Sequence, residues 1–252
     1  MQLQGKVAIV TGAARGLGRE YCQRLAREGA AVVAQDLREP AETVAEIKAA
    51  GGQAIGVAGD VSSMADCTAM AGAALGSFDR IDVLVNNAAL YGGLKGGRFT
   101  DLAEAEWDAC MTVNVKGMWQ CCKAVYPAMK QAGGGSIINI SSLAATFGLP
   151  FALHYTTSKG AVIGMTRGLA RELGRDWIRV NAIAPSAVLT EGTAEFMGAK
   201  KDRALQVIAE GQSLKRNLTV EDLAGTVVYL ASDASKFVTG QTIMVDGGTV
   251  LL

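Results

Sequence analysis

The stretch VAIVTGAARGLGREYCQRLA, residues 7–26, does most to limit what this chain can fold into. Residues 7–10 are apolar without alternation and run straight into glycines at 12, 16 and 18, after which a helical pattern begins. A strand apolar on both faces belongs inside a parallel sheet, with helices covering both sides. Each glycine has its own task. Gly12 permits the sharp turn out of the strand, Gly16 lets backbone come close to a bound group, and Gly18 lets the helix pack against the strand. The free N–H groups of the helix N-terminus then face outward, where they attract phosphate. The spacing G-x-x-x-G-x-G carries one residue more than the common dinucleotide fingerprint, but its setting between strand and helix supports the same reading. Gly12, Arg15, Gly16, Leu17 and Gly18 are the candidate contacts at this turn.

The same rhythm continues. Candidate strands at 6–12, 30–36, 53–60, 81–88, 136–142, 179–185 and 241–247 alternate with helical patterns at 17–28, 41–50, 63–76, 103–131, 155–174 and 220–231. Right-handed βαβ units in one Rossmann-like, doubly wound, seven-stranded parallel sheet follow, with helices on both faces. Half of the residues are hydrophobic, which suffices for a large core. With no linker, repeat or low-complexity tract, residues 1–252 read as a single domain. Residues 187–218 break the rhythm with a helical insertion after the sixth strand, where a substrate lid is expected.

Charge narrows the partners. Lys+Arg and Asp+Glu are both 24, so no basic excess points to nucleic acid or an anionic membrane. No apolar run approaches the roughly 18 residues of a membrane span, and the start lacks a signal-peptide pattern. Five cysteines, Cys22, Cys67, Cys110, Cys121 and Cys122, show no CxxC spacing. They read as reduced thiols, with no metal site, in a cytoplasmic protein.

Asp36 closes the second strand, 18 residues after Gly18, with Leu37 next to it. A carboxylate there accepts hydrogen bonds from ribose hydroxyls and repels a 2′-phosphate, which favours NAD over NADP. Arg15 and Arg38 complicate this, since either could reach a phosphate. Asp60 and Val61, ending the third strand, could meet the adenine edge, although an aspartate there also suits a helix N-cap.

The stretch HYTTSKG, 154–160, holds the chain's one histidine beside a tyrosine, with a lysine four residues later. On a helix, Tyr155 and Lys159 share a face with Cβ atoms about 5–6 Å apart, while His154 lies about 100° round. A free phenol titrates near pH 10, about three pH units or 4 kcal/mol too high for a base at neutrality. One ammonium about 4 Å away, at an effective dielectric near 20, supplies about that much. No histidine is required. Ser142 ends the fifth strand at the edge where ligands bind, and Ser141 should face the opposite way.

Together, T-G-x-x-x-G-x-G at 11–18, Asn86-Asn87-Ala88-Ala89, Asn114, Ser142, Tyr155-x-x-x-Lys159 and GQTIMVDGG ending at 248 resemble the short-chain dehydrogenase/reductase family over essentially the whole chain. The resemblance implies that Tyr155 exchanges the proton while hydride passes between substrate and NAD. It implies further that Ser142 steadies the substrate oxygen, Lys159 holds the ribose and lowers the phenol pKa, and Asn114 distorts its helix and completes the proton path by holding a water that links the lysine to solvent. Asn87, Ala88, Ala89, Pro185, Val188 and Thr190 match cofactor-binding positions, and a homotetramer is implied. Two positions depart from the family: Ala89 where glycine is usual, and Ser186 where Pro185 is usually followed by glycine.

Tyr91, Leu143, Leu149, His154 and Ser186 are candidate pocket residues, with Leu90, Phe147, Phe151 and the 191–214 insertion around them; for His154 a structural role is the first reading and the pocket the second. Their apolar character suggests a hydrophobic, aromatic or alicyclic secondary alcohol and its ketone. Two other functions stay open: an NADPH-dependent 3-oxoacyl-[acyl-carrier-protein] reductase, and a non-catalytic NAD-binding regulator.

Overall fold

The computed structural model describes residues 1–251. Seven strands, β1 (Val7–Thr11), β2 (Ala31–Asp36), β3 (Ala54–Ala58), β4 (Val83–Asn86), β5 (Gly135–Ile140), β6 (Ile178–Pro185) and β7 (Thr242–Val245), form one sheet in the order β3-β2-β1-β4-β5-β6-β7. Every pairing is parallel. The winding reverses between β1 and β4, and in such sheets the crevice at the carboxyl ends beside that reversal is where ligands bind.

Successive strand residues point to opposite faces, and here both faces are covered. Val10, Val85 and Ile138 pack on one side with Leu25, Val227 and Leu230, from α1 (Gly16–Arg27) and the last helix, α10 (Val220–Ala231). Their neighbours Ile9, Leu84 and Ile137 pack on the other with Met70, Val125 and Leu173, from α3 (Met64–Phe78), α5 (Met118–Gln131) and α7 (Leu153–Leu173). This is why the strands carry unbroken apolar runs. Helix α2 (Ala41–Ala49) joins β2 to β3.

Two local features differ from the sequence-based expectation, and a third gives it detail. The single helix expected over 103–131 is α4 (Glu104–Met111), a π-turn over Thr112–Gly117, and then α5. Inside it Gly117 lies against Val61, where a Cβ would stand 2.9 Å from Val61 Cγ2. The fifth strand stops at Ile140, leaving Ser141 and Ser142 beyond it before the short α6 (Ala144–Phe147). The insertion at 187–218 contains two helices, α8 (Glu191–Met197) and α9 (Lys201–Gly211), and a Val188–Leu218 bridge closes its base.

A buried polar chain ties α7 to the sheet. The Asn86 amide donates to Asn139 Oδ1 at 2.9 Å, the Asn139 amide donates to Thr166 Oγ1 at 3.0 Å, and that hydroxyl donates to the Val162 carbonyl at 2.8 Å. Both asparagines and Thr166 are buried, so each bond replaces water that cannot enter. Asn139→Val orphans groups on both neighbours and is expected to cost about 1–3 kcal/mol in urea denaturation. An unchanged midpoint would mean that apolar packing alone seats α7.

Candidate active site

A cleft of about 720 Å³ lies along the carboxyl edge of the sheet. Gly12, Arg15, Gly16 and Leu17 line it at the glycine turn, with Asp36, Leu37, Asp60 and Val61 beside them. Asn87, Ala88 and Ala89 follow, and Pro185, Val188 and Thr190 form the far wall. Gly18 lies beneath the turn, where a Cβ would run into the Gly12 carbonyl. Gly12 has φ +66° and would place a Cβ 2.8 Å from Ala88 Cα, so the cradle exists only because these side chains are missing. The Asn87 amide fixes the turn by donating to the Thr11 and Gly12 carbonyls, each at 3.0 Å.

The Asp36 carboxylate is held at the mouth of this cradle. It accepts from the Ala14 N–H at 2.9 Å and the Leu37 N–H at 2.7 Å. Each oxygen keeps a second lone pair, so donors such as ribose hydroxyls can still be received. Asp60 accepts from the Ser62 N–H at 2.8 Å, and Ser63, not Asp60, caps α3. Together these groups fit a nicotinamide dinucleotide: room at the turn, N–H groups at the α1 N-terminus, and an acceptor at the end of β2.

At the other end, Tyr155 and Lys159 sit in the first turns of α7, both buried and both lining the cleft. Lys159 Nζ donates to the Ile140 carbonyl at 2.8 Å and lies 5.6 Å from the centre of the Tyr155 ring. Ser141 and Ser142 diverge. Both line the cleft, but the Ser141 hydroxyl is buried and donates to the Lys159 carbonyl at 2.9 Å. Ser142 Oγ accepts from the Ala144 N–H at 3.1 Å, which leaves its own proton available.

Electrostatics here correct the sequence arithmetic. Burial pushes the Tyr155 phenol above its ordinary 10, with the Ser142 hydroxyl pulling the other way. Burial brings Lys159 down to about 8. Counting one cation at about 4 Å left out desolvation, which disfavours both charged forms. In this pocket the phenol holds its proton across neutral pH and is poised as a donor. Positive charge brought beside the ammonium would favour the phenolate and so a role as base.

Two expected residues stand apart. Asn114 lies on the π-turn behind the cleft, accepting from the Leu90 N–H at 2.7 Å and donating to Ser158 Oγ at 3.1 Å. It braces the loop after β4 against α7. His154, expected in the pocket, is not among the cleft-lining residues: it is buried, and neither ring nitrogen has a hydrogen-bond partner. Burial lowers its pKa, so the neutral imidazole serves as packing. Leu90 and Phe151 also fall outside the lining, whereas Tyr91, Leu143, Phe147, Leu149 and Ser186 belong to it.

The insertion completes the wall with Phe196, Met197, Val207 and Ile208, and Thr249 reaches it from the C-terminal segment. The Tyr91 ring stacks between Tyr155, with centroids 5.0 Å apart, and Phe196 at 4.8 Å. The sequence marked the insertion without singling out these residues. The only signal in the sequence was an apolar pattern along the insertion, and nothing singled out Thr249.

Among the described residues, no group of three or more His, Cys, Asp or Glu side chains could hold a metal. No described helix is long and apolar enough to cross a membrane.

A parallel sheet with a glycine cradle at its reversal and a Ser-Tyr-Lys set facing it defines a nicotinamide-dependent oxidoreductase. The chain belongs to the short-chain dehydrogenase/reductase family: a family model described as Enoyl-(Acyl carrier protein) reductase matches residues 12–250. It is similar to the short-chain reductase protein NovJ of Streptomyces niveus, at 42% identity over 97% of this chain and 94% of that protein. The crystal structure of a Sinorhizobium meliloti protein assigned as a short-chain alcohol dehydrogenase superposes with TM-score 0.92, at 36% identity and covering 98% and 97% of the two chains. A Beutenbergia cavernae structure with bound NADP at low occupancy, assigned as an NAD(P)-dependent gluconate 5-dehydrogenase, gives TM-score 0.90 at 35% identity, covering 98% of each chain.

The buried lysine generates a stability prediction. A drop from 10.5 to about 8 corresponds to about 3 kcal/mol spent on burying charge. Below pH 8 folded and unfolded chains both hold that proton, and the full cost is present. Between about 8 and 10.5 the unfolded chain binds more protons, so this group's cost is relieved as pH rises. Lys159→Met should therefore be more stable than wild type at pH 7, with the gap narrowing from pH 8 to 10 in paired urea titrations. A variant less stable at pH 7 would show that the Ile140 bond outweighs desolvation.

Proposed function

We propose that the protein interconverts a hydrophobic, aromatic or alicyclic secondary alcohol and its ketone, with NAD as hydride acceptor or donor. The observation that carries this reading is the placement of Tyr155, Lys159 and Ser142 on one wall of a cleft that continues to Asp36 and the glycine turn. The dinucleotide, when bound, would supply or take the hydride. This chain's own residues do the rest. Ser142 donates its free proton to the substrate oxygen, steadying charge that develops there. Tyr155 exchanges the proton at that same oxygen. Lys159 favours the phenolate in the alcohol-oxidising direction, and Asn114 holds the loop and helix in register.

Asp36 supports NAD. Reduction with NADPH, as a carrier-protein reductase would perform, needs a cation at the ribose edge, where Asp36 stands and Arg15 is paired with Glu195. The intact Ser142, Tyr155 and Lys159 speak for turnover over silent binding. The pocket side supports an apolar substrate through Leu143, Phe147, Leu149, Phe196 and Val207.

An assembly of copies, read as a homotetramer, draws support from α7. Nothing lies within 4 Å of where a Cβ would stand on Gly160, Gly164 or Gly168, so these small residues are not explained by packing on the protein's own sheet. Five buried free thiols suit a reducing compartment such as the cytoplasm.

Tyr155→Phe keeps the ring and removes the proton, and turnover of any accepted alcohol should fall by about 10²–10⁴-fold, the usual contribution of a general acid or base. Wild-type turnover in that variant would end the proposal. Asp36→Asn should reduce the preference for NAD over NADP by about tenfold or more in kcat/KM, as expected when a like charge beside a phosphate is removed. An unchanged ratio would refute the cofactor assignment.

A further inference from the structure

Arg15 immediately precedes Gly16 in the phosphate-facing turn and lines the same cleft corner as Asp36, whose carboxylate accepts from the backbone of residue 14. A guanidinium here is the natural partner for a phosphate on the adenosine ribose, since its planar fork matches phosphate oxygens. In the structure that fork is already taken. Arg15 Nη2 donates to Glu195 Oε2 at 2.9 Å, and Arg15 Nη1 donates to Glu195 Oε1, a two-point pair. The partner comes from 180 residues away, on lid helix α8.

The seat of Glu195 is built by the fold. A Cβ on Gly92 would collide with the Glu195 carboxylate, so a residue without a side chain leaves it room. Its neighbour Phe196 stacks on Tyr91, which in turn stacks on Tyr155. One turn of α8 therefore grips the glycine turn through Glu195 and the catalytic end through Phe196.

We infer that Glu195 is a specificity-determining residue for the cofactor: by pairing with Arg15 it withholds the guanidinium from a ribose 2′-phosphate. This rests on the NAD reading and deepens it. Asp36 repels the extra phosphate, and Glu195 removes the cation that would compensate. Both members are about half exposed, so the pair is worth little as a stabiliser and can open without cost to the fold. Its value lies in the choice between two cofactors that differ by one phosphate.

The test is binding of NADH and NADPH by calorimetry at low salt. Glu195→Gln keeps size and removes charge. It should tighten NADPH by about 3- to 5-fold, the scale of an exposed ion pair, and leave NADH within about twofold. In an Arg15→Gln background the same change should give no NADPH gain. Equal changes for both cofactors would show that Glu195 only braces the lid. A gain that persists without Arg15 would show long-range charge repulsion, and no gain at all would show that Arg15 does not read the phosphate; each overturns the inference. If wild type binds NADPH as tightly as NADH, the NAD reading falls. The Glu195 inference is then decided separately, by the selective gain and its loss with Arg15.

Discussion

An ammonium and a phenol, one helical turn apart and both removed from water, set the terms for the rest of this molecule. Neither is comfortable there: burial drives Lys159 down to about 8 and Tyr155 up from 10. Burying an ionisable group without a full counter-charge costs stability that packing elsewhere must offset. The fold meets that demand with a sheet apolar on both faces and a buried amide chain, Asn86–Asn139–Thr166, that locks the helix carrying the pair. The Ile140 carbonyl receives the ammonium, and the Ser141 hydroxyl fastens the same residue's backbone to the sheet. Strain at the site and rigidity beneath it are two sides of one arrangement.

The cofactor end works on the opposite logic, by removing atoms. Gly12 and Gly18 leave spaces that a methyl group would fill, and Asn87 braces the turn so that the spaces persist. Asp36 is the one anion at the mouth whose orientation is fixed twice by backbone N–H groups. Over both ends lies the insertion after β6, whose helix α8 touches the glycine turn and the tyrosine stack within two consecutive residues, Glu195 and Phe196. Contacts to the glycine turn and to the tyrosine stack thereby sit on the same short element.

Much of this could be read in the sequence because period and glycine placement are strong local signals. All seven strands stand within a few residues of their expected bounds, and the cofactor candidates line one cleft apart from Gly18, whose role is to let α1 approach. What could not be read was non-local. The π-turn at Thr112–Gly117 has no periodic signature distinct from a helix, and only the family resemblance, through a helix-distorting asparagine at 114, pointed to it. His154 reads from its helical position as a bystander to Tyr155, and it is packed as an apolar residue; the sequence does not say what surrounds it. The Arg15–Glu195 pair joins residues far apart in the chain, so charge pattern gave no hint of it. The phenol arithmetic failed for the same reason: a cation four residues away is visible in the sequence, and the desolvation around it is not.

The central claim is that Lys159 governs the acidity of the Tyr155 phenol once positive charge is brought beside it. The direct measurement is the titration of Tyr155 by NMR with carbon-13 at tyrosine Cζ, in the presence of NAD, for wild type and Lys159→Met. The account predicts a Tyr155 resonance that titrates well below 10 in wild type and at or above 10 without the ammonium. A phenol that titrates at the same pH in both proteins would contradict it.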